Sequence, residues 1–514
     1  MEMVGRSILQ MEKIAIIDIG SNTARIVIVN ILEGGYFNVV DELKEPVRLA
    51  KDMEVDGFLR PLRVQQMVQT LKTFKNLYES HKVSKVFAYS TAAVRRAKNQ
   101  KSFVDEVLTS CGIKLTVLSQ EEEAGLVYTG VINSMDVPKG LIVDIGGGSI
   151  KLINYNRRVL IAQDTLPFGA VTLTEKFANA SSDPIERSKM IEDYVKEYLQ
   201  GIEWFKNIDP DAQLICVGGS MRNVGKISRR FRKYPLDMAH NYRIGWPEFE
   251  SIYNTIRPLD MHKASRIRGL SSSRADILPS ALSSLKAIQE SSNFNEIIIS
   301  GAGLREGAMF RYAVPTTLEK PIGDILGHSI YTMLHNFNMN IQHSEHVFDI
   351  SLQLYRQLKV LHKLPRSYVK VLRIAAQLHD IGSYFKFYDH PKHSFYLILN
   401  SNLYGIPQKD LVVAALVASR HGAIPFDGIE IQQYLSILSE ENIEAVKKLG
   451  VIVRIAECFD RSMGGVITNL TCDILGDSVI LKTEATSDCT LEIKDALNAV
   501  PEFRRAFKKN LEIL

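Results

Sequence analysis

Two carboxylates stand in the same local setting. Asp144 closes the apolar run Leu141-Ile-Val143 and is followed by Ile145, Gly146, Gly147, Gly148 and Ser149. Asp18 closes Ile14-Ala-Ile-Ile17 and is followed by Ile19, Gly20, Ser21, Asn22 and Thr23. Each stretch reads as strand, tight turn, strand. Glycine admits backbone angles that other residues resist, so consecutive N–H groups can converge on one anion. A carboxylate beside such a nest does not bind phosphate itself; it would hold a cation or orient a water. One glycine-rich turn could equally be that of a plain β-hairpin. The repetition argues instead for two similar half-domains facing each other across a cleft, each with a phosphate loop. Further strand-to-glycine turns follow at Cys216–Ser220 and Ile299–Gly303.

Other reactive groups lie between and beyond the hairpins. Ser119 and Glu122 have the spacing of a capping box, and Glu121 beside them gains from the helix dipole. Glu123 completes the trio, and spacing alone does not choose a catalytic group among the three. Arg95 and Arg96 follow the strand Lys85–Tyr89, at the strand end where α/β ligand crevices form. A planar guanidinium suits phosphate oxygens better than an ammonium does. Most of the twelve histidines fall between His328 and His421.

The paired motifs Asp18-Ile-Gly-Ser-Asn-Thr23 and Asp144-Ile-Gly-Gly-Gly-Ser149 resemble those of the exopolyphosphatase / guanosine pentaphosphate phosphohydrolase (Ppx/GppA) family. That resemblance covers nearly the whole chain. It implies an α/β fold with two actin-like (ribonuclease H-like) ATPase-superfamily domains around a cleft. It also implies Glu123 as the general base for an attacking water and Arg95 as a phosphate-binding cleft arginine. The loops at Gly20, Ser21, Asn22 and Thr23 and at Gly146, Gly147, Gly148 and Ser149 would hold the terminal phosphate. Asp18 and Asp144 would hold Mg²⁺ or orient water. Gly218–Asn223, Leu304–Gly307 and Ser271–Ile277, with Arg274 and Asp276, resemble supporting turns.

The resemblance implies exopolyphosphatase activity. Guanosine pentaphosphate hydrolysis is the alternative, and a non-catalytic sensor of polyphosphate or guanosine tetra- and pentaphosphate is a second. A kinase of the same superfamily is disfavoured, because no sugar or acetate site is recognisable. A homodimer is implied as well.

One departure stands out. The family usually continues its glycine run with Ser-Thr-Glu, whereas this chain reads Ser149-Ile150-Lys151. On an alternating strand Lys151 faces away from Ile150 and Leu152, so it can point into the cleft. There it would attract phosphate and repel Mg²⁺. The expectation is tighter polyphosphate binding with weaker Mg²⁺ dependence, or a slow enzyme close to a sensor.

The histidine-rich part carries a second resemblance. His346, the pair His379-Asp380, and Asp460 occur in the order of the helical His-Asp (HD) phosphohydrolase fold, where four such residues ligate a metal. His393 and His421 would be available for a second ion, and a transition metal is the implied occupant.

These groups need elements to position them. Leu62–Tyr78 has apolar residues at helical spacing, and Asp183-Pro184 starts a long helix. The expected organisation is an actin-like domain I over 13–133, domain II over 134–315, a helical HD-like domain over 320–430, and a small α+β cap over 431–514.

Composition sets the remaining limits. The 514 residues, 46% apolar and 23% charged, fit a multi-domain globular chain. A net charge of +4 does not by itself argue for nucleic acid. Five dispersed cysteines, without a C-x-x-C pair, fit a reducing compartment. Met1–Gln10 has no signal-peptide core, and the longest apolar run, Leu411–Ala418, is too short for a bilayer. The expected location is cytoplasmic, with no membrane partner and no specific nucleic acid.

Overall fold

The computed structural model describes residues 12–314, 321–422 and 431–514. The expected limits at 315–320 and at 430, and the segment Met1–Gln10, lie outside the described residues. The chain divides into two compact units, Met1–Gly323 and Asp324–Leu514. The expected limit at 133/134 falls inside the first.

The first unit holds two mixed sheets. Strands β1 (Glu12–Ile19), β2 (Ala24–Ile31), β3 (Phe37–Glu45), β4 (Lys85–Ser90) and β5 (Leu115–Val117) lie in the order β3-β2-β1-β4-β5. β1 runs antiparallel to β2 and parallel to β4. Strands β6 (Lys139–Ile145), β7 (Ile150–Asn156), β8 (Val159–Leu166), β9 (Gln213–Val217), β10 (Tyr242–Gly245) and β11 (Glu296–Ile299) lie in the order β10-β11-β9-β6-β7-β8. β6 is antiparallel to β7 and parallel to β9, so the second sheet repeats the first and adds an antiparallel edge, β10. Ile14–Ile17 and Leu141–Val143 are fully buried, as strands covered on both faces must be. The two glycine loops thus leave the central strand of each sheet at its carboxyl end, where open α/β sheets bind ligands.

One helix, Gln120–Ile132, packs against both sheets. Its Leu126 joins Ile14, Ile16, Val27 and Val29 of the first sheet. Its Ala124, Val127 and Val131 join Ile142, Ile153, Ile215 and Ile298 of the second. A helix buried on opposite sides has no room for a polar stripe past its first turn, and its sequence from Ala124 to Ile132 is correspondingly apolar. The helix Leu304–Ala313 crosses it at a glycine pair. A Cβ on Gly307 would lie 1.8 Å from the Leu126 carbonyl oxygen, and one on Gly130 would lie 2.2 Å from that of Gly303. Only glycine at both positions allows the backbones this close.

The second unit is mainly helical. Helices Ile341–Gln357, Tyr368–Gln377, Gln408–Ala418 and Glu440–Cys458 pack on one another. A small sheet of order β12-β13-β14 follows, from β12 (Ile467–Leu475), β13 (Ser478–Ala485) and β14 (Asn510–Ile513). Among the described residues no helix is long and apolar enough to cross a membrane.

The helix crossing gives a stability test. Gly307→Ala drives a methyl into a backbone carbonyl, so the helices must part. The gain in helix propensity, about 1 kcal/mol, is smaller than the overpacking cost of roughly 1–3 kcal/mol or more. The variant should melt several degrees below the parent in a thermal scan; an unchanged melting temperature would show that the crossing is slack.

Candidate active site and metal centre

The phosphate loops are held from behind. The carbonyls of Ser21 and Asn22 accept from the amides of Ala50 at 3.0 Å and Arg48 at 2.9 Å. Those of Gly146 and Gly147 accept from Ala170 at 2.9 Å and Val171 at 2.8 Å. With the carbonyls taken, the amides of Ser21, Asn22, Gly147 and Gly148 are left over; among the described residues they donate to no protein acceptor. The buried Asn22 Nδ2 is likewise unpartnered. These are the donors of an anion nest. The loops also approach each other: a Cβ on Gly148 would lie 2.7 Å from Ser21 Oγ. They border one cavity of about 150 Å³, lined by all ten loop and strand residues expected to bind substrate, and by Glu123 and Asp144.

The capping box forms as the sequence predicts. Glu122 N donates to Ser119 Oγ at 3.1 Å, and Ser119 N donates to Glu122 Oε2 at 2.8 Å. Glu121 accepts from Ser119 Oγ at 2.8 Å and stays exposed. Glu123, one residue on, turns inward and is 4% exposed. Arg95, expected to face phosphate, is not among the residues lining the cavity. Its Nη1 donates to Glu123 Oε2 at 2.9 Å and to the Leu118 carbonyl at 2.8 Å. The short helix Ala92–Arg96 aims it at the start of the Glu123 helix, where it fixes the carboxylate.

Lys151 is the other partner of Glu123. The β6–β7 register sets Lys151 directly opposite Asp144, so the two share a face. Its Nζ lies 2.7 Å from Glu123 Oε1 and 2.9 Å from Asp144 Oδ2, and the residue is 2% exposed. Burial alone would depress this ammonium, but Asp144 and Glu123 hold it above its ordinary pKa. The implied Mg²⁺ does not fit between these carboxylates. It needs oxygens at about 2.0–2.1 Å, and an ammonium already fills the gap. Asp144 holds Lys151.

The first hairpin repeats the arrangement with an arginine: Asp18 pairs in register with Arg25. Burial raises the Asp18 carboxyl above its usual range, and Arg305 and Arg25 offset part of that. Arg25, Arg222, Arg274 and Arg305 line the cavity. Burial, then mutual repulsion, lowers Arg25 and Arg274 to about 10, and both remain cations at neutral pH. Arg305 Nη1 meets Glu42 at 2.7 Å. Arg222 donates to the Gly301 carbonyl at 3.0 Å and Arg274 to Ser220 Oγ at 3.3 Å. Among the described residues neither has a carboxylate within ion-pair distance. Arg48 holds Asp276 through two bonds of 2.7 and 3.2 Å. Sequence reading missed Arg25; its signal is a cation seven residues after the motif aspartate, as Lys151 stands to Asp144.

In the second unit two groups share Asp380: His343 with His379, and His390 with His421. The ligand atoms in each group lie within 4.8 Å of one another. The Nδ1 atoms of His379, His390 and His421 contact the carbonyls of Ala376, Phe387 and Ala418 at 2.8, 2.7 and 2.6 Å. Each Nε2 is thereby turned towards Asp380, the orientation of a metal-binding imidazole. Their distances to Asp380 Oδ1 are 3.5, 2.9 and 3.6 Å. His379 Nε2 is buried and unpartnered. This donor set fits a first-row transition ion.

The expected ligand set is altered at two places. His346 faces a separate cavity beside Asp349 and Arg356, and His343 takes its place. Three residues along a helix are about 4.5 Å further on the axis and about 60° around it. Asp460 lies one step back: it accepts from His343 Nδ1 at 2.7 Å and from Gly465 N at 2.8 Å, orienting that ring. His390 takes the place expected for His393.

Known proteins share this build. Residues 27–314 match the Ppx/GppA phosphatase family, and 325–499 match domain III of Ppx/GppA phosphatases. A guanosine-5'-triphosphate,3'-diphosphate pyrophosphatase of Aeromonas hydrophila is 23% identical over 462 residues, 88% of each chain. The crystal structure of an exopolyphosphatase from Cytophaga hutchinsonii is 24% identical with a TM-score of 0.55, covering 59% of this chain and 98% of that one. That of a Ppx/GppA family member from Aquifex aeolicus is 26% identical with a TM-score of 0.51, over 59% and 98%. By the match over more than half of its length, with domain III following in order, this chain belongs to the Ppx/GppA phosphatase family.

Proposed function

We propose that the chain is an exopolyphosphatase, releasing the terminal phosphate of inorganic polyphosphate. The observation that carries this reading is Arg222 and Arg274, two cleft guanidiniums with no carboxylate at ion-pair distance among the described residues, beside two loops with undonated amides. A polyanion satisfies both sets at once.

In this reading the loop amides and Asn22 hold the terminal phosphoryl group, and the arginines neutralise the chain behind it. Water attacks in line. Its oxygen bonds to phosphorus, the bridging P–O bond breaks with its electron pair on the leaving chain, and a proton passes to Glu123. Arg95 is a positioning residue, holding one oxygen of Glu123. In this reading the loop amides reach only the terminal phosphoryl group. Polyphosphate and guanosine pentaphosphate would therefore present the same atoms to the cavity floor. The name of the Aeromonas relative favours guanosine pentaphosphate as the second reading. Parallel assays of phosphate release from long polyphosphate and from guanosine pentaphosphate separate the two, and release from neither sinks both.

The second unit, in our reading, holds a transition metal through His343, His379, Asp380, His390 and His421. When bound, such an ion supplies Lewis acidity to a phosphoryl oxygen.

Glu123→Gln should lower phosphate release roughly 10²- to 10⁴-fold while polyphosphate binding persists, because an amide accepts no proton. Glu122→Gln should cost only about 1 kcal/mol of helix capping; turnover near the parent's in Glu123→Gln would remove Glu123 from the base role. For the second unit, protein purified without chelators should carry about one transition ion per chain or more. His343→Ala should lose metal and His346→Ala should keep it, as read by elemental analysis. Metal-free parent protein after challenge with Mn²⁺ and Fe²⁺ would leave the cluster as core packing.

A further inference from the structure

We propose that Lys151 is a built-in replacement for a divalent cation, supplying from the chain itself the positive charge between Glu123 and Asp144, so that the cleft binds no metal of its own. The proposal rests on the phosphohydrolase reading for its kinetic consequence, but not for its metal count.

The argument begins with two carboxylates that converge. Glu123 comes from the helix buried between the sheets and Asp144 from the end of β6, and one Nζ reaches both, at 2.7 and 2.9 Å. Two buried carboxylates this close repel unless a cation or a proton stands between them. In sites that handle phosphates that cation is commonly a Mg²⁺ ion bound by one or two carboxylates, which bridges to phosphate oxygens. Here the position is filled covalently. Register with Asp144 fixes the Lys151 backbone, and the residue is 2% exposed. An incoming Mg²⁺ would have to displace an ammonium held by two ion pairs.

The ammonium also retains what a bridging cation needs. It has three protons, and among the described residues two are engaged, by Glu123 and Asp144. The third is available to an oxygen of the phosphoryl group held by Gly146–Ser149. As water attacks, the transferring group's charge is met by this proton and by the arginines. The displaced bridging oxygen keeps its electron pair, and the water's proton still passes to Glu123. The other hairpin supports the assignment, since Arg25 stands opposite Asp18 in the same register. Each phosphate loop is thus backed by an aspartate and a cation from its own strands.

The test counts metal and then measures rate. The full-length chain with Asp380→Ala, which removes the carboxylate shared by the two histidine groups of the second unit, is titrated with Mn²⁺ and followed by electron paramagnetic resonance. It should bind no Mn²⁺ in the cleft, whereas adding Lys151→Met should create about one site per chain, as two facing carboxylates without a cation become a ligand pair. The second measurement needs no variant. The parent protein releases phosphate from the potassium salt of long polyphosphate in excess EDTA and in Mg²⁺, and the two rates should agree within about threefold. Lys151→Met should lose roughly 10²- to 10³-fold in EDTA, the usual cost of removing one preorganised charge at a reacting centre. A Mn²⁺ site in the Asp380→Ala chain that Asp144→Asn abolishes overturns the proposal, as does parent activity that vanishes in EDTA and returns with Mg²⁺. If no phosphate is released under either condition, the hydrolase reading fails, and the Mn²⁺ count alone decides the role of Lys151.

Discussion

The first unit depends on burying one helix between two sheets. Gln120–Ile132 gives Leu126 to the first sheet and Ala124, Val127 and Val131 to the second, so neither half has a complete core without it. Its crossing with Leu304–Ala313 is closed by Gly130 and Gly307, which set the backbones in contact. Residues at the two N-termini inherit that rigidity. Glu123 sits in the first turn of one helix and Arg305 and Glu306 in the first turn of the other, and all three reach the cavity. A base or a phosphate ligand displaced by an ångström loses much of its effect. Here position is set by core packing rather than by a loop.

Charge in the cleft follows from strand register. An antiparallel pair places residues opposite each other on one face, and both hairpins set a cation opposite the motif aspartate: Arg25 for Asp18 and Lys151 for Asp144. The arginines beyond are in excess. Burial depresses Arg25 and Arg274 most, and beyond it Arg222 and Arg305 depress Arg25 and Arg222 depresses Arg274. Guanidiniums held close against their own repulsion store an electrostatic demand that a phosphate chain relieves. Such a cluster of cations suits a polyanion.

Local signals were legible in the sequence wherever the physics is local. The two hairpins, the capping box of Ser119 and Glu122, and the apolar character of the central strands need only near neighbours. Where a side chain goes once several elements meet was not legible. Arg95 follows a strand end, as a phosphate-binding arginine would, yet the Leu118 carbonyl and Glu123 capture it. Alternation along β7 put Lys151 towards the cleft, but that it touches Glu123 depends on the separate packing of the Glu123 helix. His343 and His346 stand three residues apart on one helix; which of them meets His379 is fixed by rotation about the axis, and three positions differ there by about 60°. The structure brings His343 to His379 and Asp380.

The two units solve one electrostatic problem in different ways. Convergent acceptor groups cannot be packed together without positive charge. In the first unit the charge is an ammonium, so Glu123 and Asp144 are compensated whether or not a ligand is present. In the second, three imidazoles spend their Nδ1 atoms on backbone carbonyls and turn their Nε2 atoms towards Asp380. His390 and His421 bring two such nitrogens within 2.7 Å, a separation that needs a proton or a metal between them. A resident cation suits a site whose ligand already carries many negative charges, since nothing need dissociate with the product. Convergent imidazoles suit a site whose cation comes from outside. The chain therefore keeps its ammonium-bridged carboxylates and its convergent imidazoles in separate units.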